Sequence, residues 1–180
     1  MNKLLNKKFP IRIIFKLWKK TLLGELKNGS ALDIGCGYGF YSEIFKDYTG
    51  IDNNPDAILN AKKLYPEKHF EVMDATNLAF KNNKFDIIFS TLVLHHIEKD
   101  NLIKTAEEIK RVAKDNGQIY LIDMVLPQKL KFLAYPLFYY DKAITRTPDE
   151  LKEILKQGGL IPKKERYQRF LNVGIVTLEF

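Results

Sequence analysis

Asp33, Asp52 and Asp74 each close a short strand-like run, and the first is followed by Gly35-Cys36-Gly37-Tyr38-Gly39. An apolar run that stops in glycine turns sharply and lets a ligand approach the main chain. The spacing is not the G-x-G-x-x-G of a dinucleotide site. Counted from Gly35 and Gly37, the third glycine would fall where Phe40 stands, and Gly39 comes one residue early. Asp33 would also repel a pyrophosphate and welcome a cationic amino group. Asp52, about 20 residues further on, can accept hydrogen bonds from both ribose hydroxyls of a nucleoside. Asp74 and the Ala75 N–H could address an adenine edge. Each aspartate alone also suits an ordinary loop-entry cap, but three at successive strand ends suit one nucleoside ligand.

His95 and His96 follow the fourth strand on the ligand side and are the candidate general bases, with packing or loop-fixing as the alternative. Asp123, ending the fifth strand, points toward the same region as a weaker alternative, and His69 falls at the opposite end of its strand. Cys36 reads as a small pocket-lining residue, since nothing near it suggests a thiolate nucleophile. No metal site is expected, and a single cysteine excludes a Cys-rich zinc centre and an internal disulfide framework.

The elements that must position these residues alternate. Strands are predicted at Ala31–Asp33, Tyr48–Asp52, His69–Met73, Phe85–Ser90 and Gln118–Asp123. Between them the pattern predicts a helix over Phe40–Lys46 and one opening at Asn54-Pro55 with Ala57, Ile58, Ala61 and Leu64 on one face. A third is capped by Asp100, carries Leu102, Ile103, Ala106, Ile109, Val112 and Ala113, and ends at Gly117. Thr147-Pro148-Asp149-Glu150 is a capping box that opens a helix closing at Gly158-Gly159. Pro162–Phe170 and Val173–Phe180 read as two strands joined near Leu171-Asn172. The expected fold is α/β: a Rossmann-like, doubly wound, mostly parallel seven-stranded sheet with helices on both faces and an antiparallel C-terminal edge hairpin.

The stretches LDIGCGYG, GIDNNPDAI, VMDATNLAF and FDIIFSTLVLHHI, followed by a helix and GQIYLID, resemble the class I S-adenosylmethionine-dependent methyltransferases. The resemblance is to the small type 11 group, which includes enzymes of ubiquinone and menaquinone biosynthesis, and it runs from Ala31 to Asp123, with the edge hairpin extending it. It implies that Gly35, Cys36 and Gly37 line the methionine portion of the cofactor, with Asp33 near its amino group. Asp52 would hold the ribose, Asn53 would flank the adenine, and Asp74 and Ala75 would meet it. Ser90 or Thr91 would sit beside the cofactor after strand four.

One domain is read over 1–180, divided into an N-terminal amphipathic helix or lid (1–29), a cofactor-binding core (30–123), an acceptor-site insertion (124–146) and a helix with the edge hairpin (147–180). In residues 9–27, Ile11, Ile14, Phe15, Trp18, Leu22 and Leu26 oppose Arg12, Lys16, Lys19 and Lys20. Such a helix suits a cofactor lid or peripheral contact with an anionic membrane. No run approaches the ~18 apolar residues of a membrane span, and the N-terminus lacks a signal-peptide core. Phe132, Tyr135, Phe138, Tyr139 and Tyr140 could line a pocket for a flat or apolar acceptor or close the core, and Lys129, Lys131, Lys142 and Arg146 could attract an acidic one. The net charge of +7 raises the question of an anionic partner or simply aids solubility.

The reading that follows is a cytoplasmic, monomeric or homodimeric methyltransferase using S-adenosylmethionine on a small-molecule acceptor, with no nucleic-acid partner expected. A methyltransferase of RNA or protein and a non-catalytic cofactor-binding regulator are the alternatives. Base-amine chemistry lacks its Pro-Pro-aromatic motif, since Ser90-Thr91-Leu92-Val93 stands there, and cytosine C5 chemistry lacks its cysteine. A nicotinamide dehydrogenase fails on glycine spacing and on Asp33.

Overall fold

Leu32 and Ile34 point to one side of the first strand and Ala31 to the other, and all are buried, as expected of a parallel strand covered on both faces. The computed structural model describes residues 29–127, 134, 139, 141–170 and 173–180. The strands are β1 (Ser30–Ile34), β2 (Asp47–Asp52), β3 (His69–Val72), β4 (Phe85–Thr91), β5 (Ala113–Val125), β6 (Lys164–Phe170) and β7 (Val173–Glu179). They form one sheet in the order β3-β2-β1-β4-β5-β7-β6. β1 through β5 pair in parallel, while β7 runs antiparallel between β5 and β6. The expected doubly wound sheet with its edge hairpin is therefore present. The turn at Leu171-Asn172 lies outside the described residues.

Helices α1 (Pro55–Leu64), α2 (Lys99–Val112) and α3 (Pro148–Gln157) cover the sheet. Ile58 and Ala61 of α1 pack with Phe70, Ile87, Phe89 and Tyr120 on one face. Leu102, Ala106 and Ile109 of α2 and Leu151 and Leu155 of α3 pack with Leu32, Ile88 and Leu121 on the other. Asn54 Oδ1 accepts from the Asp56 and Ala57 amides, so α1 starts where Asn-Pro places it. Thr147 and Glu150 form the reciprocal capping box of α3.

Several local expectations are corrected. Phe40–Lys46 is not a helix but a single 3-10 turn at Ser42–Ile44, because the chain leaves Gly39 at positive φ and must be extended again to enter β2 at Asp47. Asp100 does not cap α2: Glu98 holds that position, its carbonyl accepts from the Leu102 amide at 2.8 Å, and Asp100 lies in the first turn. α2 ends at Val112 rather than Gly117, since Ala113 is already extended and pairs with Phe85, the ladder resuming at Ile87 with Gln118. Leu64 leaves the buried face of α1 and is exposed, because the helix ends there and Tyr65 turns away from it.

Candidate functional site

The sheet order reverses between β1 and β4, and a ligand crevice forms at such a point beyond the C-terminal ends of parallel strands. The loop after β1 is folded back on β2: the Gly35 and Cys36 amides donate to the Ile51 carbonyl at 2.8 and 2.9 Å. Gly35 has φ 74°, and a Cβ there would lie 2.3 Å from Val93 Cγ2, so no other residue fits. Gly37 has φ 52° and faces open space, with nothing within 4 Å of the position a Cβ would take. Its backbone is thus bare on the ligand side.

Asp52 anchors this loop from below. Its Oδ2 accepts from the Gly37 amide at 2.9 Å and its Oδ1 from the Asn54 amide at 2.9 Å. A carboxylate has about four acceptor positions, so two remain for a ligand's hydroxyls. Asp33 lies deeper, almost fully buried, and accepts the Tyr48 hydroxyl at 2.7 Å. Burial pushes its carboxyl up to about 7, against the Tyr48 hydrogen bond, which lowers it, and with the nearby Asp52 charge, which raises it further. A positive charge arriving beside such a group would hold it in its ionised form. Cys36 is buried beside the loop, and burial raises its thiol well above the ordinary range, which argues against thiolate chemistry.

The remaining expected residues divide into exposed and structural positions. Asn53 is exposed beyond Asp52. Asp74 is exposed and accepts from the amide and hydroxyl of Thr76 at 2.8 and 2.9 Å, while Ala75 packs partly on the core. Ser90 is buried and donates to the Ile34 carbonyl at 3.0 Å, stitching β4 to β1, and Thr91 is buried at the end of β4 against Tyr41. His95 is buried in the 3-10 turn Leu94–His96 that follows β4. Its Nδ1 is hydrogen-bonded to Asp123 Oδ1, its backbone amide donates to Asp123 Oδ2 at 2.8 Å, and its Nε2 lies 3.3 Å from Asp141 Oδ2. Burial disfavours the cation, but Asp123 and then Asp141 outweigh it and raise the imidazole to about 9. His96 is half exposed beside it.

Residues 32–121 match the methyltransferase domain family. The chain belongs to that family. The class I, S-adenosylmethionine-dependent assignment carried by the motifs between Ala31 and Asp123 is thereby borne out. The 2-phytyl-1,4-naphtoquinone methyltransferase of Trichormus variabilis is 21% identical over 168 residues, 84% of this chain and 72% of that protein. A tRNA U34 carboxymethyltransferase of Campylobacter curvus is 28% identical over 130 residues, covering 66% of this chain and 42% of that protein. An uncharacterized protein of Methanocaldococcus jannaschii is 32% identical over 97 residues, covering 53% of this chain and 41% of that protein. The chain therefore covers less than half the length of several relatives it matches. A solved SAM-dependent methyltransferase of Methanosarcina mazei superposes with a TM-score of 0.74 at 22% identity, covering 88% of this chain and 95% of that one.

Within this methyltransferase domain, Tyr48, Asp141 and Val93 touch the candidate positions Asp33, His95 and Gly35 and were not singled out from the sequence. Tyr48 meets Asp33 diagonally across adjacent strands, a contact set by the β1–β2 register, which pairs Ala31 with Tyr48 and Asp33 with Gly50. Arg146, expected to attract an acidic acceptor, is instead buried and donates to the Leu94 and Ile97 carbonyls at 3.1 and 2.6 Å. Those carbonyls lie in the turn after β4 and outcompete solvent for the guanidinium. Of the aromatic acceptor segment, only Tyr139 is described, and it is exposed. The basic helix expected over 9–27, Lys129, Lys131 and the other four aromatics lie outside the described residues. Among those described, no helix is long and apolar enough to cross a membrane.

Proposed function

We propose that this protein transfers the methyl group of S-adenosylmethionine to a small-molecule acceptor. The observation that carries this reading is the Asp52 carboxylate gripping the bare Gly37 backbone, beside a buried Asp33 that a cation would ionise. In this reading the two free acceptor positions of Asp52 hold the ribose hydroxyls, and Asp33 balances the amino group. Gly35, Cys36 and Gly37 line the methionine arm, Asn53, Asp74 and Ala75 border the adenine, and Ser90 and Thr91 close the β4 side. The sulfonium supplies a good leaving group, so the S–CH3 bond breaks as the acceptor's lone pair forms the new bond to the same carbon. The chain's task is alignment of acceptor and methyl, worth up to ~7–11 kcal/mol where near ideal. His95 and His96 are the candidates for contact with the acceptor, the first held by Asp123 and the second open to the ligand. A free, buried Cys36 accords with a cytoplasmic location.

Calorimetry with S-adenosylhomocysteine, followed by a screen of extracts with labelled cofactor, tests this. Asp52→Ala should weaken binding by ~1.5–3 kcal/mol, the range for charge-assisted hydrogen bonds. No binding heat and no thermal shift would end the assignment. An RNA acceptor is the second reading, favoured by relatives named for tRNA and by the net charge of +7. Label appearing in RNA, with affinity falling steeply as salt rises, would select it. Label appearing in small molecules would select the first.

A further inference from the structure

The turn after β4 and the chain at Asp141 bring together donors whose close approach methyl transfer does not require. His95 Nε2 and His96 Nε2 lie 3.3 and 3.8 Å from the same Asp141 oxygen, and one ligand atom from each residue falls within 4.8 Å of the others. At 3.8 Å the His96 contact is too long for a hydrogen bond. Donors bound at about 2.1 Å to one ion stand ~3–3.5 Å apart, so only small adjustments would close the three around a metal.

A second feature points the same way. The Asp123 carboxylate accepts from the His95 amide at 2.8 Å and the Met124 amide at 2.7 Å, and also holds His95 Nδ1. Its orientation is therefore set by backbone on two sides. A carboxylate behind an imidazole holds the Nδ1 proton and aims Nε2 outward, the arrangement found behind metal-ligating histidines, where Nε2 gives up its proton on binding the ion. Here Nε2 is turned toward Asp141. The Ile144 amide donates to the His95 carbonyl at 2.7 Å, which ties the segment near Asp141 to the same turn. His96 and Asp141 have side chains 44% and 39% exposed, so further coordination positions are open to water or ligand.

We propose that His95, His96 and Asp141 form an open site for one divalent transition-metal ion, with Asp123 positioning His95. Two imidazole nitrogens and one carboxylate suit zinc, iron(II), cobalt or nickel, whereas magnesium and calcium seek oxygen. Entry of the ion releases the His95 Nε2 proton to solvent and replaces the direct His95–Asp141 hydrogen bond by coordination of both groups.

The test needs no cofactor and is independent of methyl transfer. The full chain, stripped with chelator, is titrated with cobalt(II) while visible absorption is followed, then with zinc in competition. One cobalt per chain is expected, with a d–d band that zinc abolishes and magnesium leaves in place. His96→Ala and Asp141→Ala sit at partly exposed positions and should each weaken cobalt at least about tenfold, with Asp123→Asn weakening it ~10–100-fold. His69→Ala, which removes the exposed His69–Glu71 pair away from the site, should leave the titration unchanged. Urea midpoints of all variants establish that they remain folded. Absence of a band, or binding unchanged in both His96→Ala and Asp141→Ala, would overturn the site. Equal competition by magnesium would overturn the donor assignment.

Discussion

Replacing Asp33 by Asn should stabilise the protein at alkaline pH while weakening its cofactor site. The carboxyl is buried, and its ionisation in the folded state is displaced from the ordinary 3.8 to about 7. Between those values the folded chain holds a proton that the unfolded chain has released, so stability falls as pH rises through the window and levels off above it. A displacement of that size amounts to about 4 kcal/mol in full, of which about 3 kcal/mol develops between about pH 5 and pH 8. Asn keeps an oxygen that can accept the Tyr48 hydroxyl, now 2.7 Å from the carboxylate, and carries no charge to desolvate. Urea denaturation at both pH values would report it as a midpoint difference at unchanged slope. The gap between Asp33→Asn and the parent should widen in favour of the variant by about 3 kcal/mol toward the higher pH, a stability gained by giving up a charge kept for function. Calorimetry should find S-adenosylhomocysteine bound more weakly by the variant. Parallel stability profiles for the two proteins would refute the idea that Asp33 is a strained, buried acid.

Gly35→Ala should destabilise the fold by at least ~1–3 kcal/mol, since the new Cβ would meet Val93 at 2.3 Å in a left-handed backbone at φ 74°. Thermal denaturation checks it. Arg146→Met should cost ~1–3 kcal/mol through the Ile97 carbonyl left without its donor, the Leu94 carbonyl keeping the Ile97 amide at 3.1 Å, with its effect confined to stability if the guanidinium does not meet the acceptor. A large rise in acceptor KM at unchanged melting temperature would contradict that. Asp52→Ala should abolish the carboxylate contact to Gly37 as well as ribose binding, so amide exchange at Gly37 should quicken along with the loss of affinity.

Much of the fold was legible because its signals are local. Alternating buried runs set the strands, Asn54-Pro55 and Thr147-Pro148 mark helix starts by supplying a cap and a residue that needs no partner, and Gly35 and Gly37 mark a turn that side chains cannot make. Errors arose where a local signal was weak against chain geometry. Phe40–Lys46 reads as a helix between two strands, but its neighbours leave it one turn, and Asp100 is a good cap residue two places inside the helix it was expected to begin.

The sequence by itself determined the sheet, its edge hairpin and three aspartates at strand ends, because periodicity, caps and glycine each act within a few residues. Only the tertiary structure decided what the carboxylates do there. Strand register placed Tyr48 beneath Asp33 and turned it into a buried acid, and the fold-back of the loop set Asp52 on the Gly37 amide. The return of the chain toward β4 brought Asp141 to His95 and His96 from 46 residues away, sending Arg146 into the core instead of toward a ligand. Contacts of that range depend on packing and desolvation, which no local pattern of residues encodes.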